Sequence, residues 1–324
     1  MSTNPSGLLN AFIFSKDAVR SVGWEEIRAW SPEQGILWAH LDFTRQDSVN
    51  WINDESGLDE LAKESLTADE TRPRITDIDG GLLISLRGVN GNPGSDPEDM
   101  VAVRIYCDEN RIVTTRRRRL FTIRKIADEF DADRGPRTVG AFIALLADGL
   151  VEQMSKVIQE LEDRLDDLEE QMLEDPSARA RGQLLDLRRE AIMLRRYLSP
   201  QREALNGLKG QEIDWLSKRD RLQLREVNDQ ITRYVEDLDS VRDRAAVANE
   251  ELAARLAEQL NARMYLLSII AGIFLPLGFL TGLFGINVGG MPWVENSGGF
   301  LIVSVLLTVI TLLQLAYFRF KRWL

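Results

Sequence analysis

Cysteine and histidine are nearly missing from this 324-residue chain, which holds one of each, Cys107 and His40. A lone cysteine excludes a disulfide within the subunit. No Cys/His metal cluster can be assembled in one copy either, so affinity for a transition metal has to come from carboxylates, carbonyls or water. Basic excess is absent as well. The formal charge is −11, which argues against a nucleic-acid surface and favours cations as partners. No nucleophile–base pair, phosphate loop or zinc-site spacing occurs, and the chain reads as a non-enzyme that needs no cofactor. The first residues, MSTNPSGLLNAFIF, lack the basic start and long apolar core of a signal peptide. Charge itself is missing from two stretches near the end, Tyr265 to Val294 and Asn296 to Phe318.

Each of these stretches holds the ~20 apolar residues needed to cross a hydrocarbon core about 30 Å thick. Only residues 285–299 join them, so the pair is predicted to be a helical hairpin through a membrane. Arg263 precedes the first span and Arg319, Lys321 and Arg322 follow the second, whereas the joining loop carries only Glu295. Positive residues mark the cytoplasmic side, so both termini are expected inside, with the basic tail at 319–324.

Upstream the chain is polar and acidic. Residues 1–135 alternate strand and helix signals, with strands expected at Ala11–Phe14, Gly35–Phe43, Gly81–Val89, Met100–Cys107 and Arg111–Thr115. Two short helices are expected between Asp47 and Asp69, parted at Gly57, and Asn90 to Gly94 is a loop by composition. This predicts a cytoplasmic α/β domain. Residues 136–216 read as antiparallel helical arms. Leu146, Leu150, Met154, Val157, Leu161, Leu165, Leu168 and Met172 form one apolar stripe, Glu174 to Ser177 breaks it, and Ser199-Pro200 marks a kink or stop. From 217 to 264 a stalk helix is expected, continuing through a first span at 265–284 and followed by a second at 300–318. Such a helix is about 100 Å long at 1.5 Å per residue, too long for a globular interior.

On the stalk one seven-residue register reads Asp229, Glu236, Asp243, Glu250, Ala257, Met264, Ala271, Gly278, Gly285. A sustained period of seven keeps one face toward a common axis in a left-handed supercoil. Small residues at 271, 278 and 285 would let copies approach closely. Asn261, Ser268 and Gly282 lie in the neighbouring register. Read for function, acidic rings concentrate cations at the inner end of a narrow uncharged conduit, with Asn261 at its entrance and Met264 and Leu267 as a dewetting constriction. The same stripe also reads as a solvated helix face, and both readings stand. The stretch from Glu226 to Glu258 has nine acids against Arg233, Arg242, Arg244 and Arg255. Any assembly of such stalks carries a negative potential. Pro276 in the first span frees the carbonyl of Gly272, which reads as a structural kink. Arg116 to Arg119 reads as solvated charge or as a partner for another subunit's acidic helix. His40, inside an apolar strand, reads as a core or edge histidine.

These features together resemble the CorA superfamily of metal-ion transporters: a stalk helix entering the membrane, two C-terminal spans, a Gly-x-Asn tripeptide between them and a basic tail. Gly285-Ile286-Asn287 stands where most magnesium-transporting members have Gly-Met-Asn. With the preceding run Leu275 to Phe284 and the following Val288 to Pro292, it is similar to the ZntB-type zinc-transporter branch. Glu70 to Arg74 and Ile112 to Arg119 look like the same branch. The resemblance implies a homopentameric funnel in a bacterial inner membrane, with five first spans lining one pore and five second spans outside. It places Gly285, Ile286 and Asn287 at the outer mouth, and Asn261, Met264, Leu267, Ala271, Leu275, Gly278 and Gly282 along the pore. The cargo it implies is zinc, with cadmium, nickel and cobalt as further candidates, and in some members uptake coupled to protons. Neither span contains Asp, Glu, His, Lys or Arg, so no side-chain proton relay is visible. Two rivals remain: a magnesium or nickel/cobalt channel of the same architecture gated by cytoplasmic metal, and a membrane-anchored coiled-coil scaffold.

Overall fold

A computed structural model describes residues 6–78, 80–174, 177–208, 213–285 and 297–321. Seven strands form one sheet: β1 (Leu8–Phe14), β2 (Val19–Ser21), β3 (Ile36–Asp42), β4 (Arg74–Ile78), β5 (Gly81–Gly88), β6 (Val101–Cys107) and β7 (Arg111–Arg116). Their order is β2-β1-β3-β7-β6-β5-β4, and only β3 and β7 run parallel. The helices are α1 (Trp24–Arg28), α2 (Gln46–Asn50), α3 (Glu60–Thr67), α4 (Phe121–Asp131), α5 (Val139–Glu174), α6 (Ala178–Gly207), α7 (Lys218–Gly285) and α8 (Gly299–Phe320).

The five expected strands form at β1, β3, β5, β6 and β7. Two more were not anticipated. β2 has three residues, and β4, Arg-Ile-Thr-Asp-Ile, is an edge strand with little buried surface. Neither carries the alternation that betrays a half-buried strand.

Because successive strand residues point to opposite faces, the sheet is covered on both. Ala11, Ile13, Leu37, Ala39, Leu41, Leu83, Tyr106 and Val113 cluster with Ile27 of α1, Ile52 of the π-helical turn Trp51–Glu55 that follows α2, and Ala62 and Leu66 of α3. The alternate residues Phe12, Phe14 and Trp38 meet Phe130 of α4 and Phe142 of α5. Ring centroids lie 5.1 Å apart for Phe12–Phe130 and 4.8 Å for Trp38–Phe142. His40 shares this second face. Its Nδ1 lies 2.9 Å from Thr114 Oγ1, which also accepts a hydrogen bond from Trp38 Nε1 at 2.9 Å. Burial, aided by Arg116, pushes the imidazole down to about 3. His40 is therefore a neutral core residue. Gly35, at φ 113° with its Cα facing the Phe14 carbonyl, supplies the turn into β3 that a side chain would obstruct.

The three long helices bury one stripe each. On α5 the buried series is Leu146, Leu150, Met154, Ile158, Leu161, Leu165, Leu168 and Met172. Ile158 takes the inward place that the spacing alone had given to Val157, which is half-buried. On α6 the series Ala180, Leu184, Leu187, Ala191, Leu194, Leu198 and Leu205 runs straight past Pro200 and ends at the capping residue Leu208. The proline therefore does not stop the helix. Its stripe is continued by buried Gln201, whose Oε1 accepts the Arg87 backbone N–H at 2.7 Å and fastens this end to β5. Ion pairs join the helices outside the stripe: Arg164–Glu190 at 2.7 Å between α5 and α6, and Arg195–Asp239 at 2.7 Å between α6 and α7.

The chain divides into two compact units, residues 1–249 and 250–324. Helix α7 continues from the first into the second, and α8 belongs wholly to the second. The distal part of α7 and all of α8 are long and apolar enough to span a membrane.

Candidate functional site

The character of α7 is set by which residues it buries. Leu224, Val227, Ile231, Val235, Leu238, Val241, Ala245 and Ala248 form its inward face in the first unit. Asp229, Glu236, Asp243 and Glu250 fall between these positions and are all exposed. The acidic register thus lies on the side of the helix that this chain leaves uncovered. Among its members, Asp243 pairs with Arg242 at 2.9 Å, and the Arg242 hydrogen bond holds its carboxyl below the usual range. The flank nearer α5 is more crowded. Burial and the neighbouring Glu236 raise the Asp237 carboxyl, while burial followed by Asp237 and Asp166 raises that of Glu162. Arg244 reaches into this crowd, 2.6 Å from Glu169 and 2.5 Å from Asp166 on α5.

In the second unit Phe318 of α8 packs on Gly272 of α7. A Cβ added at Gly272 would stand 3.1 Å from the Phe318 ring. Ile269 and Phe318 are buried there. The pore-lining candidates Asn261, Met264, Leu267, Ala271, Leu275, Gly278 and Gly282 are all exposed, as is Gly285. Among the described residues no atom of another element comes within 4 Å of a Cβ built at Gly278, Gly282 or Gly285. Exposure alone does not set these residues apart, since residues 257–268 are exposed all round the helix; what is particular is that Phe318 covers Gly272 and not Gly278 or Gly282. Ile286 and Asn287 of the expected outer mouth lie outside the described residues. Helix α7 passes through Pro276 without a break. Ser268 Oγ donates to the Met264 carbonyl at 2.8 Å, and Thr281 Oγ1 to that of Gly278 at 3.1 Å. These hydroxyls are satisfied locally and leave the helix surface smooth.

Among the described residues no three His, Cys, Asp or Glu side chains gather into a metal-holding group. Cys107 is buried, and desolvation keeps its thiol protonated. A cation passing along α7 would meet backbone dipoles, amides and exposed carboxylates rather than a fixed chelating cage.

The Arg116–Arg119 run finds partners within its own chain: Arg117 with Asp69 at 3.3 Å, and Arg118 with Asp99. It borders a polar cavity of about 760 Å³ that also takes in Arg87, Arg104 and Arg196, residues that the sequence pattern did not single out. The available signal was an arginine in the middle of the apolar strand Val101–Cys107.

The sequence profile described as CorA-like Mg2+ transporter protein matches residues 33–322. The "Zinc transport protein ZntB" of Yersinia enterocolitica is 36% identical over 287 residues, 89% of this chain and 88% of that protein. The "Divalent cation transporter CmaX" of Pseudomonas aeruginosa is 37% identical over 328 residues, 100% of this chain and 98% of that one. Among solved structures, full-length CmaX superposes with a TM-score of 0.86 at 35% identity, covering 100% of both chains. The CorA magnesium transporter of Methanocaldococcus jannaschii gives a TM-score of 0.81 at 18% identity over 97% of this chain and 98% of that one, a likeness of fold.

Proposed function

We propose, for a chain that belongs to the CorA-like Mg2+ transporter family, that it carries divalent metal cations across a membrane, with zinc as principal cargo. The small-residue flank of α7 carries this reading, because Ala271, Gly278, Gly282 and Gly285 fall along one face by register, which a helix that merely anchored the chain would not need. Several copies of α7 set about a common axis would close that flank into a path. Five copies is the number the family resemblance supplies. In that arrangement Gly285, Ile286 and Asn287 form the outer mouth. Asn261, Met264, Leu267, Ala271, Leu275, Gly278 and Gly282 line the passage below it. Asp229, Glu236, Asp243 and Glu250 draw cations to its inner end. The basic tail and Arg263 set both termini in the cytoplasm, with the protein in a bacterial inner membrane.

The wall this arrangement offers is neutral. An ion stripped of water there would have no charged ligand in compensation, at a cost of many kcal/mol. The cation therefore passes with much of its hydration shell, and selection rests on hydrated size and on the dipoles at the mouth. The scarcity of nitrogen and sulfur donors favours one second reading, a magnesium channel of the same build, since zinc prefers those ligands. The experiment is flux of zinc and of magnesium into liposomes, with and without a pH gradient. Zinc entry that magnesium competes with weakly supports zinc as cargo. Magnesium flux indifferent to zinc selects the second reading. Asn287→Ala lowers flux about tenfold or more if the mouth holds the ion. An anchored scaffold would show no cation flux in wild type or variant.

A further inference from the structure

The first unit holds a feature that cation transport leaves unused. Although the chain is acidic overall, the 760 Å³ cavity between the sheet and α6 is lined by six arginines: Arg72, Arg87, Arg104, Arg117, Arg118 and Arg196. Against them stand three carboxylates, and Asp69 and Asp99 are already engaged by Arg117 and Arg118. That leaves Glu70 facing four guanidinium groups.

Two of those groups are held in place without being neutralised. Arg87 spends its donors on carbonyls, Nη1 to Met100 O at 2.7 Å and Nη2 to Thr71 O at 2.9 Å. Its guanidinium carbon lies 4.1 Å from the centre of the Tyr197 ring. Arg104 is only 2% exposed and stacks on Phe43 at 4.6 Å. Its Nη2 donates to Asp69 O at 2.9 Å, but Nε and Nη1 have no acceptor among the described residues. Burial, and then the adjacent Arg87, bring this guanidinium down to about 10. Those two donors are closed to solvent, so what Arg104 offers the cavity is an uncompensated buried charge.

We propose that this cavity binds a phosphate-bearing small molecule, its phosphoryl oxygens received by Arg72, Arg117 and Arg196 in the field of the buried Arg87 and Arg104. Guanidinium forks match phosphoryl oxygens in pairs, and their charge is retained at every physiological pH. The volume lies within the roughly 300–1,000 Å³ range of small-molecule sites and far exceeds what a single halide needs. A free di- or triphosphate and a nucleotide share the chemistry that the arginines read. Because Arg87 and Arg104 stand on β5 and β6 while Arg196 stands on α6, an occupant would bridge the sheet to the helical arm.

The test is equilibrium dialysis of the full-length protein in detergent, at low salt and with a metal chelator present. Pyrophosphate and ATP serve as separate probes. Saturable binding of one molecule per chain is expected, weakened about tenfold or more by Arg117→Ala and by Arg104→Gln. Arg117 has a side chain 62% exposed, so its variant keeps the test valid should Arg104→Gln fail to fold. Tighter binding of ATP than of pyrophosphate assigns a nucleotide, and equal binding assigns the phosphoryl groups alone. The proposal is overturned if neither probe binds saturably, or if both variants bind as wild type does. It is equally overturned if wild type binds nothing while Arg117→Ala or Arg196→Ala dissociates an oligomer, because the arginines would then serve a neighbouring copy's acidic surface.

Discussion

In the unit ending at Asn249 the largest apolar side chains are enclosed, with Trp38, Phe12, Phe130 and Phe142 almost inaccessible to solvent. In the unit from Glu250 onward the reverse holds. Phe274, Leu275, Phe279, Phe300 and Leu301 are among the most exposed side chains, and Leu252, Ile269 and Phe318 are the buried large ones among the described residues. The α/β unit completes its own core. Among the described residues the hairpin encloses few large side chains, and so apolar an exterior on two helices long enough to span a membrane suits a lipid surrounding. The first region is stable because of what it contains, the second because of what surrounds it.

The largest expected effect tests the self-sufficient half. Trp38→Ala empties the centre of the aromatic cluster and removes one of the Thr114 hydroxyl's hydrogen bonds, so a loss of about 3–5 kcal/mol is expected. Urea unfolding followed by near-UV circular dichroism reads it. A midpoint equal to wild type would mean that the soluble unit, too, depends on its surroundings. Next come two substitutions on one helix. Gly272→Leu drives a side chain into the Phe318 ring and should cost about 1–3 kcal/mol of hairpin packing, seen as a lowered melting temperature in detergent. At Gly278 an added Cβ meets no neighbouring element within 4 Å among the described residues, so the melting temperature of dispersed Gly278→Leu protomers should hardly move, while cation flux through the assembled protein falls about tenfold. If Gly278→Leu conducts normally, the small-residue flank faces lipid and the contrast between the two sides of α7 disappears.

A third effect separates the units by pH. His40 is held neutral to about 3 in the folded state and takes up a proton near 6.5 when unfolded. Its folded value is depressed, so the unfolded state binds the extra proton, and stability drops as pH falls from about 6.5 toward 3. The slope is about 1.4 kcal/mol per pH unit from this residue. His40→Gln should flatten that slope for the α/β unit. Melting of the spans, which hold no ionisable side chain of this range, should not respond.

Much of this division was legible beforehand because it is written in periodicity and in charge. Strands β1, β3 and β5 to β7 alternate or run apolar, the spans lack charge altogether, and α7 runs from Lys218 to Gly285 with glycine only in its membrane part. What stayed hidden depends on partners distant in sequence. Nothing local says that β4 adds to the sheet edge, that Ile158 displaces Val157 inward, or that α6 runs on past Pro200 to a Gln201 tied to Arg87 across 114 residues. The pore candidates were named from register and resemblance. Their exposure could not be, because it depends on where α8 lays Phe318. The arginine cavity was invisible for the same reason, since its arginines come from two strands, two loops and a helix.

The smallest effect bears on the join between the two regions, where exposed charge rather than apolar burial is at stake. Asp229, Glu236 and Asp243 are solvent-facing on α7, so replacing all three by Asn, Gln and Asn should leave the melting temperature of the α/β unit unchanged. Their influence on a passing cation is through the field alone. That field reaches about 10 Å at 0.1 M salt and about 3 Å at 1 M. Arg233 and Arg242 lie close enough to offset part of it, and Asp243 is already paired. Zinc flux should therefore fall only two- to threefold at low ionic strength, and the gap between variant and wild type should close at 1 M salt. A deficit that persists at high salt would mean that these carboxylates touch the ion directly. The stripe would then be a binding site at the inner entrance and not merely a source of potential.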